Sequence, residues 1–173
     1  LGWQQPVFEK GLVDVGISAS KEYDYLHTGL NASYAHDFNN RNTTVSAGFA
    51  FARDSIEPVG GAPTPFTAMR DVGDLGNRVG DQDKDVLDFV LGATQVISRD
   101  LLVQVNYSYS RSDGYLNNPY KVLSLVDGVT GDTIQRTPDP AGGPSGVFLF
   151  EGRPEERTQH SLYSQAKYNM SGR

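Results

Sequence analysis

Three aspartates at alternate positions, Asp81, Asp83 and Asp85, are the first residues whose type and spacing suggest chemistry. Crowded carboxylates favour a hard cation such as calcium, and Asp71, Asp74 and Asp88 lie nearby. A calcium loop needs Gly at its sixth position and a bidentate Glu at its twelfth, where this chain has Val86 and Gly92. The run therefore reads as a solvated acidic loop, and no metal is expected. His160-Ser161 would set a base beside a nucleophile, but neighbouring strand residues point to opposite faces and share no hydrogen bond. His27 and His36 also fall on opposite faces of one strand, neither with a second ligand at usable spacing. No catalytic residue and no cofactor is expected, and the chain reads as a non-enzyme.

The elements that would position these residues are strands. Over 87–109 the same alternation occurs twice, with only Ser98-Arg99-Asp100 between the copies. Leu87, Phe89, Leu91, Ala93 and Ile97 share one face of the first strand, and Leu101, Val103, Val105, Tyr107 and Tyr109 one face of the second. Period-two alternation over about ten residues is the mark of a strand crossing an outer membrane, apolar toward lipid and polar toward a lumen. Similar runs predict strands over about 7–20, 26–38, 43–53 and 157–170. Six strands result, joined by tight turns at 39–42 and 98–100 and by long loops at about 54–84 and 112–156, where Gly and Pro interrupt any strand. Short turns at one end and long loops at the other suit an up-and-down barrel. Strands starting near 7, 43 and 101 then run outward, and those starting near 26, 86 and 157 inward. Phe49, Phe51, Tyr107 and Tyr109 fall toward the outer interface, and Tyr34, Phe38 and Tyr168 toward the inner one.

The expected fold is all-β: an antiparallel up-and-down transmembrane β-barrel, with residues 1–173 a fragment of about six strands of one domain. The chain opens at Leu1 without a leader and ends in a strand-like run, and single-chain bacterial barrels start at about eight strands. Composition agrees. The apolar fraction is 38%, the mean hydropathy is negative, and no apolar run reaches the roughly 18 residues a membrane helix needs. Every second residue of a barrel strand is spared contact with lipid, so a barrel stays open. The absence of cysteine removes disulfide frameworks and thiolate sites. A net charge of −6 without a clustered basic patch argues against nucleic acid as a partner.

Two segments are too particular for generic barrel sequence. They are Ser112-Asp113-Gly114-Tyr115-Leu116-Asn117-Asn118-Pro119-Tyr120-Lys121-Val122 and Glu151-Gly152-Arg153-Pro154-Glu155-Glu156-Arg157-Thr158-Gln159-His160-Ser161-Leu162-Tyr163. From Thr43 to the end the chain resembles a bacterial family catalogued as domain of unknown function three thousand five hundred and seventy. The resemblance implies a β-barrel in the outer membrane of Gram-negative bacteria and no established substrate or reaction. Physically, Asp113-Gly114 and Asn117-Asn118-Pro119 are turn chemistry, and Tyr115 and Tyr120 suit clamping a loop to the rim. Arg153 and Arg157 are expected to tie the loop ends by pairing with Asp113, Glu151 or Glu155.

Facing the lumen, the sets Gln104, Asn106, Ser108 and Gln159, Tyr163, Gln165, Lys167 are neutral or mildly basic. They suit an aqueous passage, which ranks a porin-like channel for small solutes first among the functions. A non-conducting binding or scaffold barrel displaying external loops comes second, and a soluble glycan-binding β-sandwich third. The barrel reading carries outer-membrane lipid, the barrel-assembly machinery and a small solute as partners, and leaves oligomeric state open.

Overall fold

A computed structural model describes residues 1–69, 78–136 and 146–170. Asp71, Asp74 and the Pro-Gly run near 138–144 lie outside them. The described residues form eleven strands: β1 (Gly2–Val7), β2 (Gly11–Lys21), β3 (Tyr25–Phe38), β4 (Thr43–Ile56), β5 (Ala62–Pro63), β6 (Arg78–Val79), β7 (Gln82–Val96), β8 (Leu101–Gly114), β9 (Val122–Ser124), β10 (Phe148–Phe150) and β11 (Glu156–Tyr168). Seven of them make one antiparallel sheet in the order β1-β2-β3-β4-β7-β8-β11, and the pairs β9–β10 and β5–β6 form two small sheets within the long connections. The all-β, antiparallel, up-and-down expectation holds. The sheet is open, with β1 and β11 as its edges, and not a closed barrel.

The strand expected over 7–20 begins only at Gly11 as β2, and a further strand, β1, precedes it. The chain turns at 8–10, where Phe8 has φ 49° and the Gly11 N–H donates to the Phe8 carbonyl at 3.0 Å. Gln4-Gln5-Pro6 conceals β1 from its alternation, because Pro has no N–H for a ladder and is tolerated on an edge strand. At the same end, β3 turns into β4 through Asn39, Asn40 and Arg41, all at positive φ, a region Asn enters more easily than other side-chain-bearing residues. The other end holds the long connections at 57–81 and 115–155, and also a short one at 22–24, so loop lengths alternate less regularly than expected. Both long loops are shorter than expected because charged residues prolong the strands. On β8, Arg111 Nε meets Asp113 at 2.9 Å, and between β4 and β7 Arg53 meets Asp83 at 2.6 Å.

Register gives the sheet two unlike faces. On one, rows run across strands as Leu30-Phe51-Leu87, Ala32-Phe49-Phe89-Tyr109-His160 and Tyr34-Ala47-Leu91-Tyr107-Leu162. Rings follow each other along the middle row, with Phe49 to Phe89 and Phe89 to Tyr109 both 6.4 Å between centroids and Tyr109 to His160 edge-on at 5.2 Å. Among the described residues no layer covers these side chains: Leu91 is 57% and Leu162 75% exposed. The opposite face carries small and polar residues, among them Ser18, Gly29, Asn31, Gly48, Gly92 and Asn106. Among the described residues the buried apolar side chains lie at the loop end, where Ile56, Ala62 and Tyr115 cluster against Tyr25 and Phe150 is buried in β10.

Candidate functional site

The small-residue face holds a row of chemistry-bearing side chains near its loop end. Antiparallel register sets His27 of β3 opposite Asp54 of β4, and Asp54 opposite Lys84 of β7. His27 Nδ1 lies 2.6 Å from Asp54 Oδ1, and Lys84 Nζ lies 2.7 Å from Asp54 Oδ2. On the far side of the imidazole, Nε2 lies 3.0 Å from Ser18 Oγ of β2. With the Nδ1 proton directed at the carboxylate, Nε2 is left to accept the Ser18 hydroxyl proton. Asp54 is only 3% exposed, and a buried carboxylate persists as an anion when cations and donors surround it as they do here. Ser18 is exposed on the polar face.

A glycine makes this approach possible. Ser18 sits opposite Gly29 in the β2–β3 register, and a Cβ at 29 would stand 2.7 Å from Ser18 Oγ and 3.2 Å from His27 Nε2. Any side chain there would occupy the space the serine–histidine hydrogen bond crosses.

Above this row a cavity of about 960 Å³ opens under the loop following β8, lined by Tyr25, Lys84, Tyr115, Pro119, Tyr120 and Arg157 among others. Glu151 holds its roof. It is 7% exposed and accepts from Lys121 Nζ at 2.7 Å, Arg153 Nη2 at 3.0 Å and the Asn118 N–H at 3.1 Å. The Lys121 ammonium above all, then the Asn118 N–H and Arg153, hold this carboxyl down at about 2. The Arg153 N–H donates to Asn117 Oδ1, and the Tyr120 hydroxyl to Asp24 in the 22–24 turn.

Among residues singled out by sequence, Arg153 pairs with Glu151 as expected. Asp113 pairs instead with Arg111, its neighbour on the same strand face, and Arg157 Nη2 reaches Gln159 Oε1 at 3.4 Å. Arg157 turns to the polar face because its register partner is Ser112, which removes it from the loop tie. Asp113 and Gly114 end strand β8 instead of beginning a loop. Gly114 has φ +106°, and a Cβ there would meet the Asp83 carbonyl oxygen at 2.4 Å. Its N–H donates to the Glu155 carbonyl at 2.8 Å, and that of Tyr115 to the Asp83 carbonyl at 2.9 Å. Gln104 faces Gln165, Asn106 faces Tyr163, Ser108 faces Ser161 and Leu102 faces Lys167, so the polar sets of β8 and β11 share one face, Gln159 included. Tyr163 donates to Gln165 Oε1 at 3.0 Å.

Asp83 and Asp85 lie on the apolar face beside Arg53, at 2.6 and 3.9 Å, and Asp81 precedes β7. No cluster of three or more His, Cys, Asp or Glu side chains able to hold a metal occurs among the described residues. His160 and Ser161 do face opposite ways: His160 Nδ1 is 2.7 Å from the Tyr107 hydroxyl on the apolar face. The grouping of Ser18, His27 and Asp54 escaped sequence reading. Its signal was countable, since equal steps back from Phe38 and forward from Thr43, which stand opposite each other, bring His27 opposite Asp54.

The class is that of a large antiparallel meander with one apolar and one polar face, carrying two small sheets in its long connections. The chain belongs to the family described as Protein of unknown function (DUF3570), whose profile matches residues 1–173. The match covers β1 to β3 as well, beyond the segment from Thr43 onward that the resemblance covered. No curated protein and no solved structure matches.

Proposed function

We propose that this sheet is part of the wall of an outer-membrane β-barrel in Gram-negative bacteria, through which small solutes pass. The observation that carries this reading is the uncovered apolar face. Its five rows from Phe51 to Thr43 on β4 span nine residues, close to the roughly 9–11 of a membrane-crossing strand. The charged pair of Arg53 and Asp83 borders it at the loop end, and Arg111 with Asp113 ends the Phe51 row on β8. The polar face supports an aqueous interior, with Gln104, Asn106, Ser108, Gln159, Gln165 and Lys167 along its last two strands. Hydrocarbon does not tolerate unpaired strand edges, so the wall needs partners for β1 and β11 to close. Outer-membrane lipid and the assembly machinery that inserts barrels are the partners this reading carries.

A second reading, a non-conducting barrel displaying its loops, is favoured by the cavity and the small sheets at the loop end. A soluble glycan-binding sandwich requires a second layer over the apolar face, and none covers it among the described residues. Conductance of the full-length protein in planar bilayers tests the first reading. Discrete openings are expected, and a folded, inserted protein that never opens overturns the channel.

A further inference from the structure

We propose that Ser18 is a nucleophile, activated by His27 and positioned by Asp54, that accepts acyl groups from water-soluble carboxylic esters reaching the polar face of the sheet. The geometry has the parts such chemistry needs: a hydroxyl 3.0 Å from Nε2, and the opposite ring nitrogen 2.6 Å from a buried carboxylate. The carboxylate fixes the tautomer and orientation of the imidazole, and the imidazole takes the hydroxyl proton. Lys84, at 2.7 Å from the second Asp54 oxygen, keeps that carboxylate ionised and in place. Gly29 leaves the gap that the hydrogen bond crosses.

In the reaction, Ser18 Oγ bonds to the ester carbonyl carbon while its proton passes to His27 Nε2. The tetrahedral adduct collapses by breaking the bond to the alkoxy oxygen, which leaves as the alcohol with the proton from His27. Water then attacks the acyl-serine, gives a proton to His27, and releases the carboxylic acid while that proton returns to Ser18. Water is the only co-reactant. Asn31, opposite Gly16 and two residues along β3 from Gly29, is a polar carboxamide on the same face. Because Ser18 is on the polar face, the substrate is an ester carried in water and not a lipid embedded against the aromatic row.

The experiment treats full-length protein in detergent micelles with a fluorophosphonate probe, maps adducts by peptide mass, and follows p-nitrophenyl butyrate hydrolysis. A single adduct on Ser18 is expected, absent from Ser18→Ala. His27→Gln and Gly29→Ala should each slow labelling by about 10²-fold or more, the second with all three reacting side chains retained. Far-UV circular dichroism confirms that each variant is folded. Folded wild-type protein that gives no Ser18 adduct overturns the proposal, and so does labelling that His27→Gln leaves unchanged. Conductance plays no part in this readout, so failure of the channel reading leaves it unaffected.

Discussion

Lys121 and Glu151, from opposite ends of the long connection after β8, meet at 2.7 Å with the carboxylate almost wholly enclosed. Their contact closes the roof of the rim cavity, and it makes the roof sensitive to acid. The Glu151 carboxyl is held at about 2, below its ordinary 4.5, so its contribution to loop closure is complete above about pH 4.5 and fades as pH falls toward 2. Hydrogen exchange of residues 115–121, corrected for intrinsic rates, should accelerate over that acid range. Glu151→Gln should remove the acid-dependent step and leave exchange fast throughout; a step that persists in this variant contradicts the assignment.

The two arginines of the loop motif should behave differently. Arg153 bonds Glu151 at 3.0 Å, whereas Arg157 reaches only Gln159 at 3.4 Å. Arg153→Ala should speed limited proteolysis within 115–155 several-fold, and Arg157→Ala should leave the rate near that of the wild type. Equal acceleration by both would contradict the geometry.

Gly114→Ala should destabilise the junction of β8 and its loop. The residue combines φ +106° with a Cβ position 2.4 Å from a backbone oxygen, and a strained backbone of this kind costs roughly 1–3 kcal/mol before the clash is added. A lowered urea midpoint with an unchanged denaturant slope is the expected result; an unchanged midpoint would sink the claim.

Val105 and Asn106 are neighbours on β8 that face opposite ways. Val105→Arg should impair insertion into lipid vesicles by about 2–4 kcal/mol, the range for a charge on the lipid face near the bilayer centre. Asn106→Arg should insert nearly as well as the wild type. Equal insertion of both variants would remove the main support for the membrane reading.

Much of this sheet was legible because side-chain alternation reports directly which face a residue occupies. The hairpin of β7 and β8 follows from Leu87, Phe89 and Leu91 against Val105, Tyr107 and Tyr109, and the polar sets of β8 and β11 share a face as their alternation required. Alternation does not say which residue stands opposite which. His27 therefore read as isolated, although Ser18 and Asp54 flank it once the turns at 22–24 and 39–42 set the two registers. Trp3, Gln5 and Val7 share a face of β1, yet Pro6 and two glutamines blur the pattern. The network around Glu151 joins residues from separate ends of a loop with no periodicity, so no spacing rule could announce Lys121 as its principal partner.

Every strand of the large sheet pairs with the next of the seven along the chain, and that adjacency bears on how the molecule assembles. Hairpins β1–β2, β3–β4 and β7–β8, closed by turns of a few residues, can zip from their turns before any distant segments meet. Joining β4 to β7 across 57–81 adds only about 1–2 kcal/mol of closure entropy over a four-residue turn, because that cost grows with the logarithm of length. The long loops are therefore cheap to carry in folding, and they can vary in length and content without slowing the meander beneath them.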